Sequence, residues 1–472
     1  MIATGTRFWY NHQKRNQRLI YREPDRTDPG GSGSRERDDT ILSRNLILKG
    51  NICHTPEKDS LVIRENAYVV CEEGRCRGVF DGIPEAYAGM DVVDCSGKLI
   101  LPGMVDLHTH APQFAYRGTG MDEELMDWLE RYAFPEESRY ADAEYAARAY
   151  GIVAGELKNS ATTRVVMFAT IHPEATLILT DCMEKSGLVS YVGKVNMDRN
   201  APPALKEENA ARSAETTRRF IEECAARGYR RTKPIITPRF VPSCTDELME
   251  KLGRIREEYS LPVQSHLSES PGEIEVVGKL APEAAFYGDA YDRFGLFGRE
   301  GKTVMAHCVY SSQEETQRMK DNGVWIAHCP TCNMNIASGI APVRHYLEQG
   351  LRIGLGTDVA GGNSESIFDA VTDAIRASKM YWRYIDHDAK PLTFPEAFWL
   401  ATKGGGSFFG KAGSFEAGYA FDAVVLDDSI KPRAHALPLR DRLEQAFYLR
   451  MDRQGIVMKF VDGDQILPAK EP

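Results

Sequence analysis

The sequence predicts an α/β protein: a (β/α)8, TIM-like barrel with a small β-sandwich domain built from the two flanks of the chain. Three observations carry that reading. Eight short apolar runs between Leu99 and Leu355 alternate with amphipathic stretches, the pattern of parallel strands and covering helices. Five of the 11 histidines fall where those runs end. Short β-like runs lie on both sides of this region. A chain of 472 residues has room for a barrel and a second unit.

Residues 1–40 read as a flexible extension. Phe8, Trp9 and Tyr10 precede the basic Lys14, Arg15 and Arg18, and Gly30 to Ser34 is a Gly/Ser stretch with few periodic apolar positions. Residues 41–98 supply the N-terminal part of the β domain, through Leu46 to Leu48, Tyr68 to Cys71 and Gly78 to Phe80. Residues 99–410 form the barrel. Its strand runs are Leu99 to Val105, Arg164 to Phe168, Leu188 to Val195, Pro234 to Thr237, Leu261 to Val263, Thr303 to Ala306, Val324 to Ala327 and Leu351 to Leu355. Helical periodicity is clearest over Ala143 to Lys158, Ala210 to Arg227 and Asp246 to Tyr259. Residues 411–472 return to β texture, in Asp422 to Leu426 and Ile456 to Val461.

A net charge of -10 argues against coating a phosphate backbone, so no nucleic-acid partner is expected. No stretch approaches the ~20 apolar residues of a membrane helix, and the first residues lack a signal-peptide pattern. Ten scattered cysteines in such a chain read as free thiols in a cytoplasmic protein.

In a barrel, chemistry collects where strands end. The first run ends Asp106-Leu107-His108-Thr109-His110. Residues two apart on a strand share a side, so His108 and His110 can present two imidazoles to one metal. Later runs end in Ser265-His266-Leu267-Ser268-Glu269, Ala306-His307-Cys308, Ala327-His328-Cys329 and Gly356-Thr357-Asp358. Imidazoles with a carboxylate suit Zn²⁺ or Fe²⁺. Cys329-Pro330-Thr331-Cys332 and His172-Pro173-Glu174 resemble halves of another zinc signature. Pro330 follows the first Cys instead of preceding it, so both cysteines are read as loop and packing residues. Lys403-Gly404-Gly405-Gly406-Ser407 lacks Walker spacing and is read as a turn between helices.

These pieces resemble the amidohydrolase superfamily and, within it, the guanine deaminase family. The resemblance runs from about Leu46 onward. It rests on Pro102 to Gln113, Arg117-Gly118-Thr119-Gly120, Asp127 to Leu129, Tyr132 to Pro135, Thr237-Pro238-Arg239-Phe240, Ser265 to Glu269, Ala306 to Cys308 and Gly354 to Gly362. It implies one divalent metal per chain, Zn²⁺ or Fe²⁺, held by His108, His110, His266 and Asp358. It implies hydrolytic deamination of guanine to xanthine and ammonia by a metal-activated hydroxide attacking C2. Glu269 would shuttle protons, Asp358 would take the proton of the water, and His307 would bond the water or the tetrahedral centre. Gln113, Arg239 and Phe240 would bind the base beside His110, with Phe240 stacking on the ring, and Trp128 is a candidate for the pocket wall. A homodimer is implied as well. The alternatives are a related deaminase or chlorohydrolase acting on another purine, a pterin or an s-triazine, and a catalytically dead scaffold, against which the complete ligand set argues.

Overall fold

A computed structural model describes residues 44–467. The extension expected at residues 1–40 lies outside the described residues.

Eight strands carry the central region: β1 (Met104–His110), β2 (Thr162–Phe168), β3 (Val189–Gly193), β4 (Thr232–Pro234), β5 (Val263–Leu267), β6 (Thr303–His307), β7 (Trp325–His328) and β8 (Arg352–Leu355). They pair in chain order as two four-stranded parallel sheets, β1 to β4 and β5 to β8. One seam between the sheets is a parallel bridge from Ile236 to Val263. At the other, Asp358 N–H donates to His108 C=O at 2.8 Å and His110 N–H to Val359 C=O at 3.0 Å. This is the strand order that the expected (β/α)8 barrel requires. The strands are buried on both faces, which is why they read as continuous apolar runs.

Helices Ala210–Arg227 and Asp246–Tyr259 occupy the expected ranges, and Ala143–Asn159 runs one residue further. Asn209, Thr245 and Asp142 cap them by accepting first-turn N–H groups.

The two flanks meet in one seven-stranded sheet. Ala423–Leu426 lies antiparallel to Asp91–Pro102, which runs parallel to Leu46–Glu57. The sheet has its own apolar cluster, including Leu46, Val69, Ile100, Phe421, Val425 and Phe460.

Three expectations need correction. The run Pro234 to Thr237 is split, since β4 ends at Pro234 and Thr237 pairs with Val195 in a separate two-stranded sheet. The run Leu99 to Val105 is divided: Leu99 to Pro102 pairs in the flank sheet, and β1 starts at Met104. Gly103 makes the handover, because a Cβ there would lie 2.3 Å from Thr163 Oγ1 and 2.8 Å from Asp422 Cβ. The Lys403 to Ser407 segment is no turn. It continues the helix begun at Phe394, through a wider turn over Leu400–Gly404. Its glycines permit close approach to β8: a Cβ on Gly354 would lie 2.6 Å from Gly405 Cα.

The flank sheet is tied to β2 by a buried cation. Arg164 donates to Asp422 at 2.6 and 3.1 Å and to Asp462 at 2.7 Å. Arg164→Met leaves the buried Asp422 without its partner and should cost about 3–5 kcal/mol in urea unfolding. A loss near the ~1 kcal/mol of an exposed pair would show that the tie carries no weight.

Candidate metal centre and active site

The strand ends converge on one point. His108 and His110 project from the same side of β1, His266 lies on β5, His307 ends β6, and Asp358 follows β8. Ser268, His307 and Asp358 have φ of 48°, 72° and 48°, so the chain turns sharply as it leaves each strand. Beneath them lies Asp106, fully buried. Its Oδ1 accepts from the N–H of His108 at 3.1 Å and of Thr357 at 3.0 Å, and its Oδ2 from the Thr357 hydroxyl at 2.5 Å.

His110 Nε2 and His266 Nε2 are 3.0 Å apart. Asp358 Oδ1 is 3.2 Å from His108 Nε2 and 3.6 Å from His110 Nε2. His266 Nδ1 sits 2.6 Å from the Arg239 carbonyl, so it donates there and leaves Nε2 as a lone pair toward the centre. His108 Nε2 is buried with no hydrogen-bond partner. Burial pushes all three imidazoles down, toward the neutral form that ligates metal. Burial works to raise Asp358, but His108 and the neighbouring imidazoles outweigh it and hold the carboxyl well below its usual range. An orphaned nitrogen, neutral imidazoles and an ionised carboxylate fit a divalent cation.

Glu269 and His307 stand beside this set. His307 Nε2 is 3.4 Å from Glu269 Oε2 and 3.6 Å from Asp358 Oδ2, and its Nδ1 meets Asn333 Oδ1 at 2.9 Å. Burial would lower His307, yet the carboxylates of Glu269 and Asp358 raise it. Burial raises Glu269, and the Asp358 charge adds to that against His307 and the Ser338 hydroxyl, which donates to Oε1 at 2.8 Å. The cleft above is lined by Gln113, Trp128, Arg239, Phe240, Glu269 and Asp358, among others.

Residues 99–466 match the amidohydrolase family. A guanine deaminase from Dictyostelium discoideum is 34% identical over 447 residues, covering 89% of this chain and 98% of that protein. One from Mus musculus is 39% identical over 385 residues, covering 79% and 83%. The chain belongs to the guanine deaminase family. The solved guanine deaminase from C. acetobutylicum, with guanine bound in its active site, is 45% identical, covers 90% of this chain and is itself covered completely, with a TM-score of 0.86. A triazine hydrolase from Arthobacter aurescens, at 18% identity and a TM-score of 0.78, shares the fold.

Every predicted site residue of this guanine deaminase family member gathers here, with an addition the sequence reading lacks. Arg239 is paired with buried Glu137, at 2.6 and 3.0 Å, and Gln113 Nε2 donates to the same carboxylate at 2.7 Å. Ser338, Asn333 and Asp106 also support the site, and the sequence pattern assigns them no role. Cys332, read as packing, lines the cleft near Glu269 and His307, while Cys329 is buried beneath. His328 and His172 join none of the candidate metal groups among the described residues. The purified protein should carry about one divalent cation per chain by elemental analysis, and His266→Ala should lose it; full activity in metal-free protein would defeat the site.

Proposed function

We propose that this chain hydrolyses guanine to xanthine and ammonia, with the residues assigned above. The observation that carries the reading is the meeting, in one cleft, of a metal-type donor set, a proton-holding carboxyl and a wall of base-recognition groups. A divalent cation held by His108, His110, His266 and Asp358 would supply a water of lowered pKa. Asp358 keeps Oδ1 toward the imidazoles and has Oδ2 on the His307 side to take the water's proton. Glu269, raised by burial, gives a proton to the ring nitrogen beside C2 as water adds there; it then takes the proton of the new hydroxyl at C2 and passes it to the departing amine, and the proton held by Asp358 restores it. His307 donates from Nε2 to the oxygen developing at C2. Phe240 offers a stacking face, and Arg239 and Gln113 hold the base edge.

Zinc as the metal, a homodimer and a cytoplasmic place in purine catabolism complete the proposal, and family membership is their support. No helix among the described residues is long and apolar enough to cross a membrane. The s-triazine and pterin readings gain nothing from the site.

Glu269→Gln should keep metal and melting temperature while kcat falls about 10²–10⁴-fold, and an unchanged kcat removes the proton shuttle. Because Arg239 neutralises buried Glu137, Arg239→Ala would also unsettle the fold. Arg239→Lys keeps a cation there but loses the planar fork, and should lower guanine kcat/KM about a hundredfold. Ammonia release from guanine, adenine, cytosine and ammeline checks the substrate; turnover of ammeline in preference to guanine would reverse the reading.

A further inference from the structure

We infer that Glu137 is a positioning residue that makes the recognition wall donate only, so that the cleft selects 6-oxopurines. The inference rests on the guanine reading and deepens it. Glu137 is 2% exposed and touches no metal-type ligand, yet it holds both recognition side chains. Its oxygens take Arg239 Nη1 at 2.6 Å and Nη2 at 3.0 Å, and Gln113 Nε2 at 2.7 Å. Gln113 is held from its other end as well, since its Oε1 accepts the Ala360 N–H at 3.1 Å.

A flipped carboxamide would set N–H against the Ala360 N–H and oxygen against the Glu137 carboxylate. The amide therefore has one orientation, in which one Nε2 hydrogen is committed to Glu137 and the second is left for a ligand. A guanidinium has only donors, and two of the Arg239 N–H groups are spent on Glu137. Both side chains line the cleft, so what they offer a ligand is N–H. An oxygen at C6 and the neighbouring N7 both accept, whereas an amine at C6 brings donor against donor. The ion pair also cancels the Arg239 charge, which suits an uncharged base better than an anion. A glutamine alone reads either edge; the buried carboxylate removes that freedom.

The test is inhibition of the metal-loaded enzyme by hypoxanthine and by purine, which differ at position 6, with guanine turnover measured alongside. Wild type should bind hypoxanthine more tightly. Glu137→Gln should cut that preference about tenfold while purine inhibition changes little. A merely structural role weakens both inhibitors alike, and that result, or an unmoved preference, overturns the inference. Should Glu137→Gln fail to fold by its melting curve, Gln113→Met carries the test: it removes the oriented N–H, leaves the Glu137–Arg239 pair, and must also reduce the preference. A wild type that does not deaminate guanine sinks the parent reading, whereas an active enzyme whose preference ignores these substitutions sinks only the role of Glu137.

Discussion

The site depends on the seam between β1 and β8, and one buried carboxylate holds that seam. Asp106 accepts from the backbone of His108 on one side and from the backbone and hydroxyl of Thr357 on the other. It thereby fixes the register of the two segments that carry His108, His110 and Asp358. The backbone bond from Asp358 to the His108 carbonyl closes directly above. Gly356 keeps the seam tight, since a Cβ there would lie 2.8 Å from Cys329 Sγ and 3.0 Å from His108 Cβ. Ligands that are far apart in sequence can share one ion only if such a seam leaves them no play. Asp106 is fully buried beneath the centre, and that burial pushes its carboxyl up to about 7 against the hydrogen bonds from Thr357 and His108.

Exclusion of water also separates like groups into different roles. Desolvation alone drives carboxyls up and imidazoles down. Asp358 escapes because imidazoles surround it, whereas Glu269 faces the Asp358 charge and a single imidazole and stays raised. His108, His110 and His266 follow desolvation, while His307 lies between two carboxylates and moves the other way. Position thus sets Asp358 apart from Glu269, and His307 apart from the other three imidazoles, the pattern by which acid and base roles are set apart.

How much of this could be read in the sequence follows from which residues advertise their surroundings. Strands buried on both faces appear as apolar runs, and Ala210–Arg227 and Asp246–Tyr259 carry both periodicity and polar caps, so their limits were readable. His108 and His110 were readable because alternation on a strand is local. An apolar run does not state which sheet it joins, and the pairing of Leu101 with Val424 that settles it for Leu99 to Pro102 is a contact between distant parts of the chain. Glu137, Ser338 and Asn333 look like ordinary polar loop residues. What makes them part of the site is burial against a partner far away in sequence, such as Arg239 or Glu269, and no local pattern encodes that.

The segment after β7 shows what such distant partners accomplish. Asn333 accepts from His307, and five residues later Ser338 donates to Glu269, with the two joined by a bond from Gly339 N–H to the Asn333 carbonyl. Asn333 occupies Nδ1 of His307 and so turns Nε2 toward Glu269. Ser338 occupies Oε1 of Glu269 and leaves Oε2 facing that nitrogen. One short helix and the loop after it therefore set both partners of the 3.4 Å approach. A rigid support of this kind keeps the His307 imidazole and the Glu269 carboxyl aligned, as a preorganised site requires. The histidine that ends β7 itself joins none of the candidate metal groups among the described residues. His328 is buried and pushed down to about 3, and the contribution of its strand is the helix and loop that follow.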